Sequence, residues 1–121
     1  MVLELALTRM NPYMSSCTVE CVFAEPGTAL TAGTKLLDVS VDLGDDFSQQ
    51  CPPISFYRVV IREKAVLREL RVPPGEACGV GDVIAVFSTT PDEPLGPAQR
   101  ALRIATANII PHDGMARTKA S

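Results

Sequence analysis

Few residues in this 121-residue chain could carry covalent chemistry. They are three lysines (Lys35, Lys64, Lys119), four cysteines (Cys17, Cys21, Cys51, Cys78) and one histidine, His112. A lysine amine can be acylated by a prosthetic group, a thiolate can attack or ligate, and an imidazole can move protons near neutrality. The spacings argue against most of these uses. Zinc sites pair two short knuckles, whereas Cys17 and Cys21 stand alone, four apart, with His112 far away beside Pro111. The cysteines therefore read as small buried or loop thiols. A strand running from Cys17 to Cys21 would put that pair on one face, where a metal or disulfide role is the lesser reading. Gly75 to Gly81 lacks the lysine and the helix of a phosphate loop. Asp42, Asp45 and Asp46 read as solvated loop acids rather than a cation site. No nucleophile and base are spaced for catalysis, so the chain is expected not to be an enzyme.

Charge narrows the partners. A net charge of −3 without a long Lys/Arg run provides no field to gather nucleic acid or anionic lipid. The stretch Met1 to Arg9 has no basic start and is interrupted by Glu4, and no window approaches the ~20 apolar residues of a membrane helix. The expectation is a soluble, cytoplasmic protein that binds neither nucleic acid nor membrane.

What must position these residues is an internal duplication. The stretch Cys21 to Ser40 is nearly rewritten from Glu69 to Ser88, at an offset of 48 (75 − 27). Pro26 meets Pro74, Gly27 meets Gly75, Ala29 meets Ala77, Gly33 meets Gly81 and Ser40 meets Ser88. Val22, Leu30 and Leu36 meet Leu70, Cys78 and Ile84. Each copy reads as strand, Pro-Gly turn, one apolar anchor, a second Gly turn and a closing strand. Two such units bury their apolar faces against each other about a pseudo-twofold axis. Val2 to Thr8 alternates as a half-buried strand, and so do Cys17 to Ala24, Leu36 to Leu43 and Phe56 to Ile61. On the second of these, Val19, Cys21 and Phe23 should share one face. Val66, Leu67 and Leu70 fit a helix by spacing, but the repeat makes Val66 to Val72 a strand, and Val83 to Phe87 closes the set. Residues 44–55 form a long polar loop with Pro52-Pro53, in which Phe47 and Ile54 are read first as folding back onto the core edge and second as contact points for a partner.

After Thr90 the pattern changes. Pro91, Pro94 and Pro97 punctuate a linker over 90–97. Ala98, Ala101, Leu102, Ala105 and Ile109 then mark one face of a short helix over 98–110, stopped by Pro111. Its first expected use is to cover an open edge or end of the sheets. Docking a partner through Leu102 and Ile109 is the second. Residues 111–121 form a tail, and residues 1–89 the domain proper.

The unit Val19-Glu20, Pro26-Gly27, Gly33, Leu36, Val39, followed by Leu70, Val72, Gly75, Gly81, Asp82, Ile84 and Val86, resembles the two halves of a biotinyl/lipoyl domain across roughly residues 2–88. The resemblance implies an all-β fold: a flattened β-barrel or sandwich of two four-stranded sheets with a quasi-dyad. It also implies a carrier lysine at the tip of the hairpin joining the halves, preceded by an acid. Here Asp42 matches the acid, and Leu43 stands where the lysine belongs. A leucine has no amine to form an amide with lipoate or biotin. The expectation is thus a module with no covalent cofactor and no metal, serving as a structural or protein-interaction domain. The alternative is a degenerate carrier or accessory subunit of a lipoate- or biotin-dependent complex. The partner is then a protein, such as a subunit of a multienzyme complex, and a homodimer through exposed strand edges stays open.

Overall fold

Apolar alternation becomes strand throughout the duplicated region. The computed structural model describes residues 1–8, 15–42 and 54–109. Ten strands run in chain order: β1 (Val2–Ala6), β2 (Ser16–Val22), β3 (Ala29–Leu30), β4 (Lys35–Asp42), β5 (Ile54–Ile61), β6 (Ala65–Leu70), β7 (Ala77–Gly79), β8 (Val83–Ser88), β9 (Arg100–Ala101) and β10 (Ile104–Ile109). They form two five-stranded sheets ordered β3-β6-β8-β1-β9 (sheet A) and β10-β5-β4-β2-β7 (sheet B). No helix occurs among the described residues.

The duplication governs pairing residue by residue. Exchanging β1 to β4 with β5 to β8 turns one sheet order into the other. The β2–β4 ladder pairs Thr18 with Ser40, Val19 with Val39, Cys21 with Asp38 and Val22 with Leu37. The β6–β8 ladder pairs Val66 with Ser88, Leu67 with Phe87, Glu69 with Val86 and Leu70 with Ala85, every partner displaced by the same 48 (66 − 18). Even the bulge recurs, between Val19 and Cys21 in one ladder and between Leu67 and Glu69 in the other. The turns obey the same rule. Gly27 and Gly75 have φ of 95° and 93°, a left-handed conformation that a side chain would strain. Gly27 donates its N–H to Leu67 O at 2.6 Å and Gly75 donates to Val19 O at 2.7 Å, so each turn is bonded to the opposite half.

Two expectations need correction. The sheets have five strands each and form an open sandwich, not a closed barrel of two four-stranded sheets. The helix expected over 98–110 does not form in the described residues 98–109: Arg100–Ala101 pairs in parallel with β1, and Ile104–Ile109 pairs antiparallel with β5. The spacing of Ala98, Ala101, Leu102, Ala105 and Ile109 suits a helix face. Ile104, Thr106 and Ile109, however, are β-branched, and the edges of β1 and β5 supply ready backbone partners. The expected role of covering an open edge is met by strands, one added to each sheet.

A single core joins the sheets. Sheet A contributes the inward rows Leu3, Phe87, Leu67 and Leu5, Ala85, with Val19, Val39, Tyr57, Val59 and Ile61 facing them from sheet B. Phe87, Leu3, Ile61 and Val19 are at most 1 % exposed. A buried side chain of this size is worth about 1.5–3 kcal/mol against leaving it in water, so this core dominates the fold's stability.

Candidate functional site

The β4–β5 hairpin joins the halves, and its last pair is Asp42 with Ile54. Ile54 is therefore the first residue of β5 rather than part of a loop reaching Ser55, and it is 46 % exposed. Leu43, Phe47 and Cys51 lie outside the described residues, as do Asp45, Asp46, His112 and Lys119. Lys35 pairs with Val60. It sits seven residues before Asp42 along a strand, about 23 Å at the usual strand rise. Lys64 lies in the turn between β5 and β6. Neither lysine is at the hairpin.

Side chains of the outer face of sheet B run in rows across its strands. One row is Ile109, Phe56, Ser40 and Thr18, all half-buried, with Ile54 beside Phe56 on the same face. Ile54 and Ile109 are thus brought to one patch. Leu102 is not: it lies between β9 and β10, 4 % exposed within the core, so its side chain is unavailable to another molecule. Its N–H donates to Glu4 O at 2.8 Å, which fixes it there.

The next row contains a charged pair. The Arg58 guanidinium donates twice to Asp38, from Nε at 2.9 Å and from Nη2 at 3.0 Å. The hydrogen bonding to Asp38 raises the Arg58 pKa above its ordinary value. Phe23, 43 % exposed, has two cations near its ring, with Lys35 Nζ 4.9 Å and Arg58 Cζ 5.5 Å from the centroid. Cys17 and Cys21 do not share a face as expected. The bulge after Val19 breaks the alternation, leaving Cys17 in the core and Cys21 exposed on the outer side with Phe23.

The dyad-related end of sheet A is finished differently. There the outer row is Val2, Ser88 and Val66, at 4 %, 0 % and 8 % exposure. The segment after β8 is tied to it. Ser88 Oγ donates to Thr90 O at 2.5 Å and accepts from Arg68 Nη1 at 3.1 Å, while the same Nη1 donates to Glu93 O at 2.7 Å. Val2 and Gln99 bond reciprocally, N–H to Oε1 at 2.9 Å and N–H to carbonyl at 2.8 Å. Beyond β9, Glu63 in the β5–β6 turn accepts from Arg100 at 2.8 and 2.7 Å and from the Arg103 N–H at 2.7 Å. Arg100 holds the Glu63 carboxyl down to about 2.

A further pair was missed by sequence reasoning. Cys17 and Cys78 face each other across the β2–β7 ladder with their sulfurs 3.6 Å apart, both buried. Burial pushes the Cys17 thiol up to about 12 and the Cys78 thiol upward. The signal was available in the repeat, since Leu30 and Ala65 are the corresponding residues and pair across β3 and β6. Among the described residues no group of three or more His, Cys, Asp or Glu could hold a metal ion, and no helix is long and apolar enough to cross a membrane. Comparison of the chain with protein-family models, with curated proteins and with solved structures finds no match.

Proposed function

We propose that this protein is a lipoyl-like module without a swinging arm, acting as a protein-interaction domain through the hairpin end of sheet B. Duplication by register, joined at one hairpin, is the architecture the resemblance implies, and at that hairpin Leu43 offers no amine for lipoate or biotin. The observation that carries the reading is the contrast between equivalent rows. Val2, Ser88 and Val66 are buried at the end to which residues 89–99 are hydrogen-bonded, whereas Phe56, Ser40 and Thr18 stay half-open beside Ile54. An apolar residue nearly half exposed at the start of β5 gains by burial against another protein.

The experiment is photo-crosslinking in the native host, with a photoreactive residue replacing Ile54 in one variant and Lys64 in another. The reading expects a discrete crosslinked protein from position 54 and none from position 64. Equal yields at both positions, or no product at position 54, would contradict it.

A further inference from the structure

We propose that Cys17 and Cys78 form a thiol–disulfide exchange site, which small-molecule disulfides close into a cross-strand bond joining the two repeats. The ladder sets the geometry. Val80 N–H donates to Ser15 O at 3.0 Å and Val19 N–H donates to Glu76 O at 2.9 Å, two residues to either side of the pair. Cys17 and Cys78 are therefore a hydrogen-bonded antiparallel pair, with Cα atoms about 5.5 Å apart. That lies inside the range of roughly 4.4–6.8 Å that disulfides span. The sulfurs, at 3.6 Å, need to close to about 2.05 Å.

β7 is the element able to give. It has three residues, lies at the edge of sheet B and pairs only with β2 among the described strands. At the dyad-related place, Leu30 and Ala65 fill the same space with hydrocarbon, so packing there does not call for sulfur. Cys21, exposed on the opposite side of β2, is not placed to compete for Cys17.

The small disulfide is itself the two-electron oxidant, so the chemistry balances without a metal. When the edge strand lifts, the Cys78 thiolate attacks one sulfur of the small disulfide, releasing one small thiolate and leaving a mixed disulfide. The Cys17 thiolate then attacks the Cys78 sulfur, releasing the second small thiolate. The two cysteine protons end on the two small thiols; the cysteines are oxidised and the small disulfide is reduced. Because burial keeps both thiols protonated, exchange in the closed state is slow, and its rate follows opening of β7.

The test uses the full chain carrying Cys21→Ser and Cys51→Ser, incubated with glutathione disulfide. The expected result is an intact mass lower by two hydrogen atoms than the reduced protein, a proteolytic fragment linking Cys17 to Cys78, and a thermal midpoint higher by roughly 10 °C. Dithiothreitol should reverse all three. Wild-type protein treated identically and mapped by peptide mass provides the same linked fragment if the double variant folds poorly. Two free thiols after oxidation, or glutathione adducts without an internal link, would overturn the proposal. So would a link that forms only in denatured protein.

Discussion

Ser88 and Ser40 occupy dyad-related places near the ends of β8 and β4, in ladders that match residue for residue, yet their surroundings differ. Ser88 is fully buried, shared between Arg68 and the Thr90 carbonyl, with valines on either side in its row. Ser40 is half-buried, donates to the exposed Glu20 carboxylate at 2.6 Å, and has Phe56 and Thr18 as its row neighbours. Two copies of one unit therefore present one end sealed by the following segment and one end left partly open. A duplicated scaffold needs both ends for its core, and on the proposed reading the open end is the one that meets another molecule.

The largest blow to the sealed end should come from Leu102→Ala. Emptying a core position that pegs β9 and β10 should cost about 2–4 kcal/mol in urea unfolding. A loss below about 1 kcal/mol would mean that the C-terminal strands merely rest on the sandwich. The serines provide the sharper pair. Ser88→Ala leaves the Thr90 carbonyl without its donor and should cost about 1–2 kcal/mol. Ser40→Ala, losing a bond to an exposed acid, should stay within about 0.5 kcal/mol. Equal losses would remove the distinction between the ends.

Glu63→Gln should weaken the clamp on Arg100 in a pH-dependent way. The folded carboxyl titrates at about 2 against 4.5 for the free group. Its contribution is therefore present above pH 4.5 and is lost as pH falls toward 2. The thermal midpoints of wild type and variant should differ near neutrality and converge in acid. A difference that widens on acidification would reverse the assignment. The smallest effect on stability belongs to Ile54→Asp at the open end, within about 0.5 kcal/mol by urea unfolding, although it should abolish crosslinking from neighbouring surface positions.

Most of the strand framework was legible in the sequence because two independent signals agreed: period-2 alternation and the repeat. The repeat was decisive at Val66 to Leu70, where apolar spacing alone suits a helix. Residues 98–110 had no second copy to consult. There a spacing compatible with a helix face was overruled by the edges of β1 and β5, partners that no local window contains. The Val19 to Cys21 bulge was invisible for a related reason. Strict alternation predicts one face for Cys17 and Cys21, and only the ladder with β4 reveals the extra residue. Among the contact candidates, Ile54 and Ile109 stand out in the sequence by their apolar character, and the ladders place them on one outer face. The burial of Leu102 depended on strands the local pattern did not foresee.

The proposed function rests on a lipoyl-like scaffold whose sequence has no lysine between Asp42 and Ile54. The measurement that tests it most directly is the intact mass of the protein after incubation with lipoate and biotin ligases, their acids and ATP, with a true carrier domain treated alongside. Complete modification of the control and an unchanged mass here are the expected results. A lipoyl or biotinyl increment, mapped to Lys35, Lys64 or Lys119, would contradict it.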